Sequence, residues 1–470
     1  MSISRSRGAC VLFAVTTLFP AIVLAFQSEL RKAWEPDLSS ETIVFLSYRV
    51  HDAAHWFGLL TALDAIWALL FIAVVLRAST LHDVFGKRFI AALLLAQAFA
   101  LACMVASPFP MDSDQFAYVY YGDLTLRGIN PYTAYDRPLA LAPQEARIAV
   151  HWGNPPVVDR YGPAWTLANA AVLAPARATA EAQARLERVF AAFAALLCTL
   201  VLVRIVPLVP WSESAIVAFA LNPLVIVAVG NGGHNDIYLV LFGLIAWWLG
   251  SLGLFELAGV ALATASCVKF AYGLFFPALL GYTYYVSRSL TRTALTIGTF
   301  LLAVVLFSLP LGIRTSLVAP ALDWNAAHAS RITHYLWRAV VHIPHLGGVP
   351  NAPFGSIVPL ATVACALAIA TLALRGRRSP ALEIAMAPLI LMVPPKIESW
   401  YGIMLTPLLL VKHRFALIVF VAMTLACQFL QSRLFLVSYD PYLIFTALVV
   451  LIVALLAEVR PIETAAPAGN

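Results

Sequence analysis

The chain has 470 residues, of which 61% are hydrophobic and only 11% are charged, and its mean hydropathy is +0.86. Because a soluble domain carries roughly a quarter charged residues, this chain has too few polar side chains to cover a water-soluble globule. The composition also excludes disordered and collagen-like chains. The six cysteines are scattered singly in apolar segments, which excludes a disulfide scaffold. A membrane protein with several spans remains.

Apolar segments that could cross the membrane recur along the whole chain, since a span needs roughly 17–25 such residues. The regular ones are 9–26, 56–77, 89–106, 189–209, 212–229, 237–254, 294–312, 355–374, 416–432 and 441–459, and less regular ones cover 161–176, 257–285 and 384–411. We therefore predict an all-α, polytopic transmembrane helical bundle of about 11–14 spans, with short surface helices in the extracytoplasmic loops. Residues 1–460 are expected to form one membrane domain and the tail 461–470 to be disordered. The first segment follows a basic start, but it lacks a small-residue cleavage site, which favours a first span over a signal peptide.

The net charge of +6 does not indicate a nucleic-acid partner, because the positive residues lie in short loops between apolar segments. Such loops are typical of the cytoplasmic face. They contain Arg5 and Arg7; Arg77, Lys87 and Arg88; Arg177, Arg185 and Arg188; Arg288 and Arg292; Arg375, Arg377 and Arg378; Lys412 and Arg414. With these loops inside, the long polar segments 107–160 and 313–353 are predicted to be extracytoplasmic.

The segment 257–285 allows two topologies. Simple alternation of spans places His234 and Asp236 on the cytoplasmic side, whereas two short helices interrupted at Lys269 place all three residues outside. A charged side chain in the middle of a bilayer costs roughly 2.5–3.5 kcal/mol on insertion scales. We therefore prefer the topology with two short helices, which places Lys269 near a surface in contact with water.

The first outer loop carries two carboxylates, Asp112 and Asp114, directly beyond the span 89–106. Aromatic residues follow at helical spacing, so the pair is expected at the start of a surface helix. A helix N-terminus stabilises an ionised carboxylate, while a like charge and a low dielectric oppose ionisation. A carboxylate under both influences can accept a proton near neutral pH. Acidic residues are also ordinary helix caps, so the pair alone does not decide its role.

Further polar and aromatic motifs follow in a characteristic order. They are Tyr118-Val119-Tyr120-Tyr121-Gly122, Arg127-Gly128-Ile129-Asn130-Pro131-Tyr132, Arg160-Tyr161-Gly162-Pro163, Leu221-Asn222-Pro223-Leu224, Gly233-His234-Asn235-Asp236, Val268-Lys269-Phe270 and Trp400-Tyr401. Together with the acidic pair, this order resembles the class C glycosyltransferases, integral membrane enzymes that use polyprenyl-phosphate sugars. More narrowly, it resembles the bacterial polyprenol-phosphate-mannose-dependent mannosyltransferases, over about residues 90–410.

The resemblance implies a reaction on the extracytoplasmic face of the cell membrane, in bacteria the inner membrane. A hexose, with mannose favoured over glucose and arabinose, moves from a polyprenyl-phosphate donor to a hydroxyl group of a glycolipid or glycan acceptor, with inversion. Asp114 is the first choice for the general base. The family's pair of adjacent aspartates is missing here, which leaves Asp112 as an alternative base or as a partner of Asp114.

Three cations are candidates for binding the donor phosphate: Lys269, Arg160 and Arg331. Each has another interpretation. Lys269 could extend to the membrane surface from a helix end, Arg160 could pair with a neighbouring aspartate, and Arg331 could belong to the wet side of a surface helix. The remaining candidates for substrate binding are Tyr118, Asn130, Tyr161, His234, Asn235, Asp236, Trp400 and Tyr401.

We expect neither a cofactor nor a metal ion. His234 and Asp236 lack companions at the spacing of a zinc site. The acidic pair could bind a divalent cation through oxygen ligands, a mode that suits nucleotide-sugar donors better. The alternative functions are a transporter or flippase of lipid-linked sugars, in which polar residues would line a path through the membrane, and an inactive structural subunit. An enzyme should instead gather Asp114, Lys269 and one of Arg160 or Arg331 at one outward cavity.

Overall fold

The computed structural model describes residues 3–32, 34–36, 48–50, 53–108, 114–133, 159, 161–173, 180–206, 211–318, 354–392 and 399–433. Several predicted features lie outside these residues: Asp112, Arg160, Arg331, the segment 441–459 and the tail 461–470. Most of the second outer loop, 313–353, also lies outside them, as does the middle of the first.

The described chain is almost entirely helical. Its α-helices are α1 (Ile3–Lys32), α2 (Ala53–Leu76), α3 (Ala78–Phe85), α4 (Phe89–Val105), α5 (Asp114–Leu126), α6 (Pro163–Leu173), α7 (Ala180–Ile205), α8 (Ser212–Ala220), α9 (Pro223–Gly230), α10 (Asp236–Ser251), α11 (Phe255–Val268), α12 (Phe276–Ser287), α13 (Leu290–Ser308), α14 (Phe354–Leu374), α15 (Pro380–Met392) and α16 (Arg414–Arg433). Short 3₁₀ helices cover Gly86–Arg88, Phe270–Phe275 and Leu309–Leu311, a longer one covers Ser399–Leu410, and a π-helical turn covers Arg314–Val318. Two antiparallel three-residue strands, β1 (Trp34–Pro36) and β2 (Tyr48–Val50), complete the structure.

The predicted all-α membrane bundle is confirmed. Within the described residues, 6 helical segments are long and apolar enough to cross a membrane: Ser6–Glu29, Leu59–Leu76, Ala78–Val105, Ala182–Ile205, Ser212–Gly230 and Leu290–Leu311. Shorter apolar helices cover Asp236–Ser251, Phe255–Val268, Leu360–Leu374, Ser399–Leu410 and Arg414–Gln428. These segments overlie most of the spans expected from hydropathy.

Of the six long apolar segments, the one formed by α8 and α9 is the most enclosed, since 89% of it is buried inside the protein. The sequence predicts one span here, and the structure divides it at Asn222. The Asn222 side chain caps α9 by accepting a hydrogen bond from the Leu224 amide, and Pro223 occupies the first turn. Because proline lacks an N–H group, it begins a helix more readily than it continues one. The Asn222-Pro223 pair therefore sets the break.

The chain is also interrupted at Lys269, as the sequence predicts. α11 ends at Val268, Lys269 is extended with φ −155° and ψ 128°, and a 3₁₀ helix leads into α12. The Val268 carbonyl that this break exposes accepts a hydrogen bond from the Gly162 amide, 3.1 Å away. The two segments approach so closely that a Cβ atom on residue 162 would overlap the Cys267 carbonyl oxygen.

The two ends of the bundle carry different side chains. Asp236 begins α10 beside Lys269, and Trp247, near the end of α10, lies under the Arg378 guanidinium. With 16 residues, α10 is about 24 Å long, so the Lys269 break and the Arg375–Arg378 loop lie at opposite ends.

One predicted cytoplasmic cation, Arg188, lies at the other end of the bundle. The sequence predicts Arg188 in a cytoplasmic loop with Arg177 and Arg185, but in the structure it is buried in α7 and packs against Gly233. Its guanidinium donates to the Ser107 carbonyl, beyond the end of α4 that is opposite Arg88. Arg188 therefore belongs to the same end as Lys269. Backbone carbonyls solvate its charge. Arg188 should therefore not be counted among the positive residues that mark the cytoplasmic loops.

Replacing Gly162 by alanine tests the close contact with Cys267. We expect Gly162→Ala to lower the free energy of unfolding by about 1–3 kcal/mol, the usual cost of overpacking. Gly298→Ala is the matched control, because nothing lies within 4 Å of a Cβ atom at residue 298, and alanine favours a helix interior by roughly 0.5–1 kcal/mol. Thermal unfolding of the detergent-solubilised proteins measures both. Equal melting temperatures for the two variants would contradict the contact.

Candidate functional site

Asp114 is the first residue of α5. Its half-buried carboxylate faces the positive end of the helix dipole, which favours the ionised form. The Tyr161 hydroxyl donates a hydrogen bond to its Oδ2 atom over 3.1 Å. Burial, and secondly the negative charge of Asp114, raises the pKa of Tyr161 well above its ordinary value. The phenol therefore stays protonated and remains a donor to the carboxylate.

Tyr161 is held by buried polar side chains that are not among the predicted site residues. The Asp159 carboxylate accepts hydrogen bonds from the Tyr161 amide and from the Thr166 hydroxyl. The Tyr132 hydroxyl donates to the Tyr161 carbonyl over 2.7 Å. An aspartate that binds the amide two residues ahead is a familiar turn element, so the Asp-x-Tyr spacing could have indicated this role.

Lys269 forms an ion pair with Asp236, in which Nζ lies 2.7 Å from Oδ1. Asp236 is fully buried, and only 17% of the Lys269 side chain is exposed. The ammonium also lies 4.0 Å above the centre of the Tyr401 ring. Lys269 therefore turns inward, against the interpretation that it extends to the membrane surface. An opposite charge and an aromatic face offset the desolvation of the ammonium group.

The loop between α9 and α10 lies beside the ion pair of Lys269 and Asp236. The His234 imidazole stacks on the Trp400 indole with a centroid distance of 4.2 Å and an interplanar angle of 12°. Both polar atoms of the Asn235 amide, and Oδ2 of Asp236, are buried without a hydrogen-bond partner among the described residues. Buried polar groups nearly always have partners. These atoms therefore mark a place where a polar ligand can bind.

Aromatic side chains join the Asp114 and Lys269 parts of the site. The Tyr118 ring packs edge-on against Tyr161 at 4.9 Å, and its hydroxyl accepts a hydrogen bond of 3.5 Å from the backbone N–H of Asn235. Tyr401, under Lys269, is close enough to Tyr161 to affect its pKa. The predicted residues Asp114, Tyr118, Tyr161, His234, Asn235, Asp236, Lys269, Trp400 and Tyr401 thus form one group, which we call the polar cluster.

Asn130 has a different place. Its amide donates to the Leu311 carbonyl over 2.6 Å, and its Oδ1 accepts from the Tyr132 amide. These bonds tie the first outer loop to the end of α13, so both polar ends of the side chain are used by the scaffold. Arg160 and Arg331 lie outside the described residues. Within those residues, no group of three or more His, Cys, Asp and Glu side chains could hold a metal ion.

The helical membrane bundle thus gathers a carboxylate, a lysine and aromatic side chains at one end, and the family match defines the class of protein as a glycosyltransferase. The chain belongs to a family of this class, the MptA/B family, described as alpha-(1→6)-mannopyranosyltransferase, N-terminal domain, whose model matches residues 10–285. This range contains the polar cluster except Trp400 and Tyr401, and it confirms the predicted resemblance to mannosyltransferases. No curated protein and no solved structure matches the chain.

A double-mutant cycle tests whether Lys269 is needed for the reaction itself or serves only as the counterion of Asp236. Asp236→Asn should destabilise the protein by up to about 3–5 kcal/mol, because it leaves a largely buried ammonium unpaired. Lys269→Met together with Asp236→Asn should recover much of that stability but no activity. Thermal unfolding and mannosyl transfer are measured on all four proteins. If the double variant regained activity, Lys269 would serve only as the counterion of Asp236.

Tyr161→Phe tests the hydrogen bond to Asp114. The variant should move the acidic limb of the pH–rate profile to higher pH, because a carboxylate that loses a hydrogen bond holds its negative charge less strongly. Tyr284→Phe, near the far end of α12, is the control and should leave the profile unchanged. A Tyr161→Phe profile that superimposes on the wild type would show that the bond does not influence the ionisation that limits the rate.

Proposed function

We propose that the protein transfers a mannosyl residue from a polyprenyl-phosphate donor to a hydroxyl group of a lipid- or glycan-linked acceptor, on the extracytoplasmic face of the cell membrane. The observation that carries this proposal is the convergence of Asp114 and Lys269 on one polar cluster. The reaction requires one group that accepts a proton and one that binds a departing phosphate, and these two side chains supply them.

Asp114 acts as the general base. Its carboxylate takes the proton of the acceptor hydroxyl as that oxygen forms a bond to the anomeric carbon. The bond from this carbon to the phosphate oxygen breaks, and its electron pair leaves with the phosphate. A single displacement inverts the anomeric centre, so a β-linked donor gives the α-mannoside named in the family description. Tyr161 keeps the base oriented and ionised.

Lys269 binds the donor phosphate. An ammonium group has three N–H donors, and Asp236 accepts from one of them. The other two have no acceptor within the described parts of the chain and can donate to phosphate oxygens, and the Asn235 side-chain amide can supply a further donor. Because Asp236 neutralises the charge of Lys269, another cation is needed to balance the phosphate. Arg160 and Arg331 are the candidates for this role.

The aromatic side chains bind the sugar and the first prenyl units. Trp400, stacked on His234, and Tyr401 present flat apolar faces beside Lys269. Such faces pack well against apolar and CH-rich surfaces, while the tyrosine hydroxyl can form hydrogen bonds. This arrangement suits a ligand that carries a phosphate between a sugar and a hydrocarbon chain.

The position of the basic loops supports an extracytoplasmic site. Arg377, Arg378 and Lys412 lie beyond the end of α10 that is distant from Asp236. Short loops rich in Arg and Lys stay on the cytoplasmic side. The polar cluster, about 24 Å away along α10, then faces the other side of the membrane.

A transporter or flippase would need polar side chains along a path through the membrane. Two pairs of buried polar side chains deeper in the bundle are instead bonded within each pair. Thr199 donates to Gln97 over 2.7 Å, and Gln428 donates to Asp64 over 3.2 Å. These pairs belong to helix packing and do not favour a transport path.

Radiolabelled polyprenyl-phosphate mannose tests the function directly. The purified protein, reconstituted in vesicles with cell-envelope acceptor lipids, should transfer label. Asp114→Asn should lower the rate by at least about 100-fold, within the range of general-base catalysis, with an unchanged melting temperature. Asp112→Asn is the matched control and should lose far less. A fully active Asp114→Asn variant would remove Asp114 from the role, and loss of activity in Asp112→Asn alone would move the base to Asp112.

Two further arms of this assay define the donor and the metal requirement. Donors that carry glucose or arabinose should be used more slowly than the mannose donor, and a chelator of divalent cations should leave the rate unchanged. A faster reaction with another sugar would correct the substrate. Loss of activity in the chelator that a divalent cation restores would show that the reaction needs a metal ion.

A further inference from the structure

A cavity of about 420 Å³ runs along α10, from Val240 to the end of the helix distant from the polar cluster. This volume falls within the range of roughly 300–1,000 Å³ that is usual for ligand pockets. Helices α10, α12, α14 and α15 and the 3₁₀ helix Ser399–Leu410 surround it. Its walls are mostly apolar and include Val240, Leu244, Trp247, Leu279, Ile390 and Leu408. A hydrocarbon chain matches such walls, whereas a free sugar does not.

The mouth of this cavity is basic. Arg377, Arg378 and Lys412 line it together with Glu383. Arg378 is engaged, because its guanidinium forms two hydrogen bonds of 2.8 Å and 2.7 Å with the Glu383 carboxylate and lies over the Trp247 ring. Arg377 and Lys412 are exposed and form no ion pair among the described residues. The mouth thus keeps an excess of positive charge, which is complementary to an anion.

Tyr272 lines the part of the cavity nearer to the polar cluster. This ring is buried, and its hydroxyl donates to the Met404 carbonyl over 3.1 Å, which joins two walls of the cavity. The ring also packs so closely on Gly243 that a Cβ atom there would lie 2.5 Å from it. The apolar space therefore extends from Tyr272 toward the charged mouth.

We propose that this cavity binds one acyl chain of an anionic phospholipid from the cytoplasmic leaflet, with the lipid phosphate between Arg377 and Lys412. Basic pockets between helices on the cytoplasmic side are typical sites for anionic headgroups. The polyprenyl tail of the donor fits less well, because the donor phosphate belongs at Lys269, at the opposite end of α10. A phospholipid of the inner leaflet, in contrast, can place its phosphate at the basic mouth while its acyl chain fills the cavity.

Bromine atoms on a lipid acyl chain quench nearby tryptophans, and Trp247 reports from the wall of the cavity. The full-length protein is reconstituted in phosphatidylcholine vesicles with a small fraction of brominated phosphatidylglycerol or brominated phosphatidylcholine. The difference between the wild type and Trp247→Phe isolates the signal of Trp247. We expect the apparent affinity for the anionic lipid to exceed that for the zwitterionic lipid by roughly fivefold or more. Equal quenching by both lipids would overturn the proposal.

Charge variants identify the mouth as the source of this preference. Arg377→Gln with Lys412→Gln should abolish it, and Lys412→Gln alone should weaken it, which keeps the test valid if the double variant fails to fold. Lys87→Gln with Arg88→Gln removes two cations from the helix preceding α4 and should keep the preference. A preference that survives in the folded mouth variants would contradict the proposed headgroup site.

Unbrominated polyprenyl phosphate distinguishes the two lipid sources. Added in excess, it should leave the quenching of Trp247 by brominated phosphatidylglycerol unchanged. Displacement of the brominated lipid would assign the cavity to the donor tail and overturn the proposal. Mannosyl transfer by the mouth variants in phosphatidylcholine should stay close to that of the wild type, so failure of the lipid site and failure of the proposed function are distinguishable.

Discussion

The ion pair between Lys269 and Asp236 is the constraint on which the arrangement of the site depends. A lysine within an apolar segment needs a counter-charge, and Asp236, at the start of α10, supplies it over 2.7 Å. The backbone around Lys269 is extended rather than helical, which places the ammonium between Asp236 and the Tyr401 ring. One interaction thus fixes the relative positions of α10, the break after α11 and the 3₁₀ helix Ser399–Leu410.

The same break also connects the lysine segment to Asp114, the proposed base. The Val268 carbonyl, free of a helical partner, accepts from the Gly162 amide, and the preceding residue, Tyr161, donates to Asp114. A helix that continued through Lys269 would use this carbonyl internally and would offer no attachment for residue 162. The interruption therefore serves two purposes, because it solvates a charge and docks the loop that orients the proposed base.

Much of this architecture is readable from the sequence, because hydropathy measures the length of a span and a lone lysine in an apolar segment predicts a break. The motifs around Asp114, Tyr161, His234 and Lys269 also indicate one site. The pairing of Lys269 with Asp236 is not readable, since the residues are 33 positions apart and several carboxylates could have served. Arg188 shows the same limit: backbone carbonyls that solvate a buried guanidinium leave no trace in composition or periodicity.

The most direct measurement is the structure of the protein in a lipid nanodisc with a non-transferable phosphonate analogue of the mannose donor. If Asp114 and Lys269 serve one reaction, the phosphonate will lie within hydrogen-bonding distance of Lys269 Nζ. The anomeric carbon will then present the face opposite the phosphonate toward Asp114, with room between them for an acceptor hydroxyl. A phosphonate bound away from Lys269, or a sugar with its anomeric carbon turned from Asp114, would contradict the proposed site.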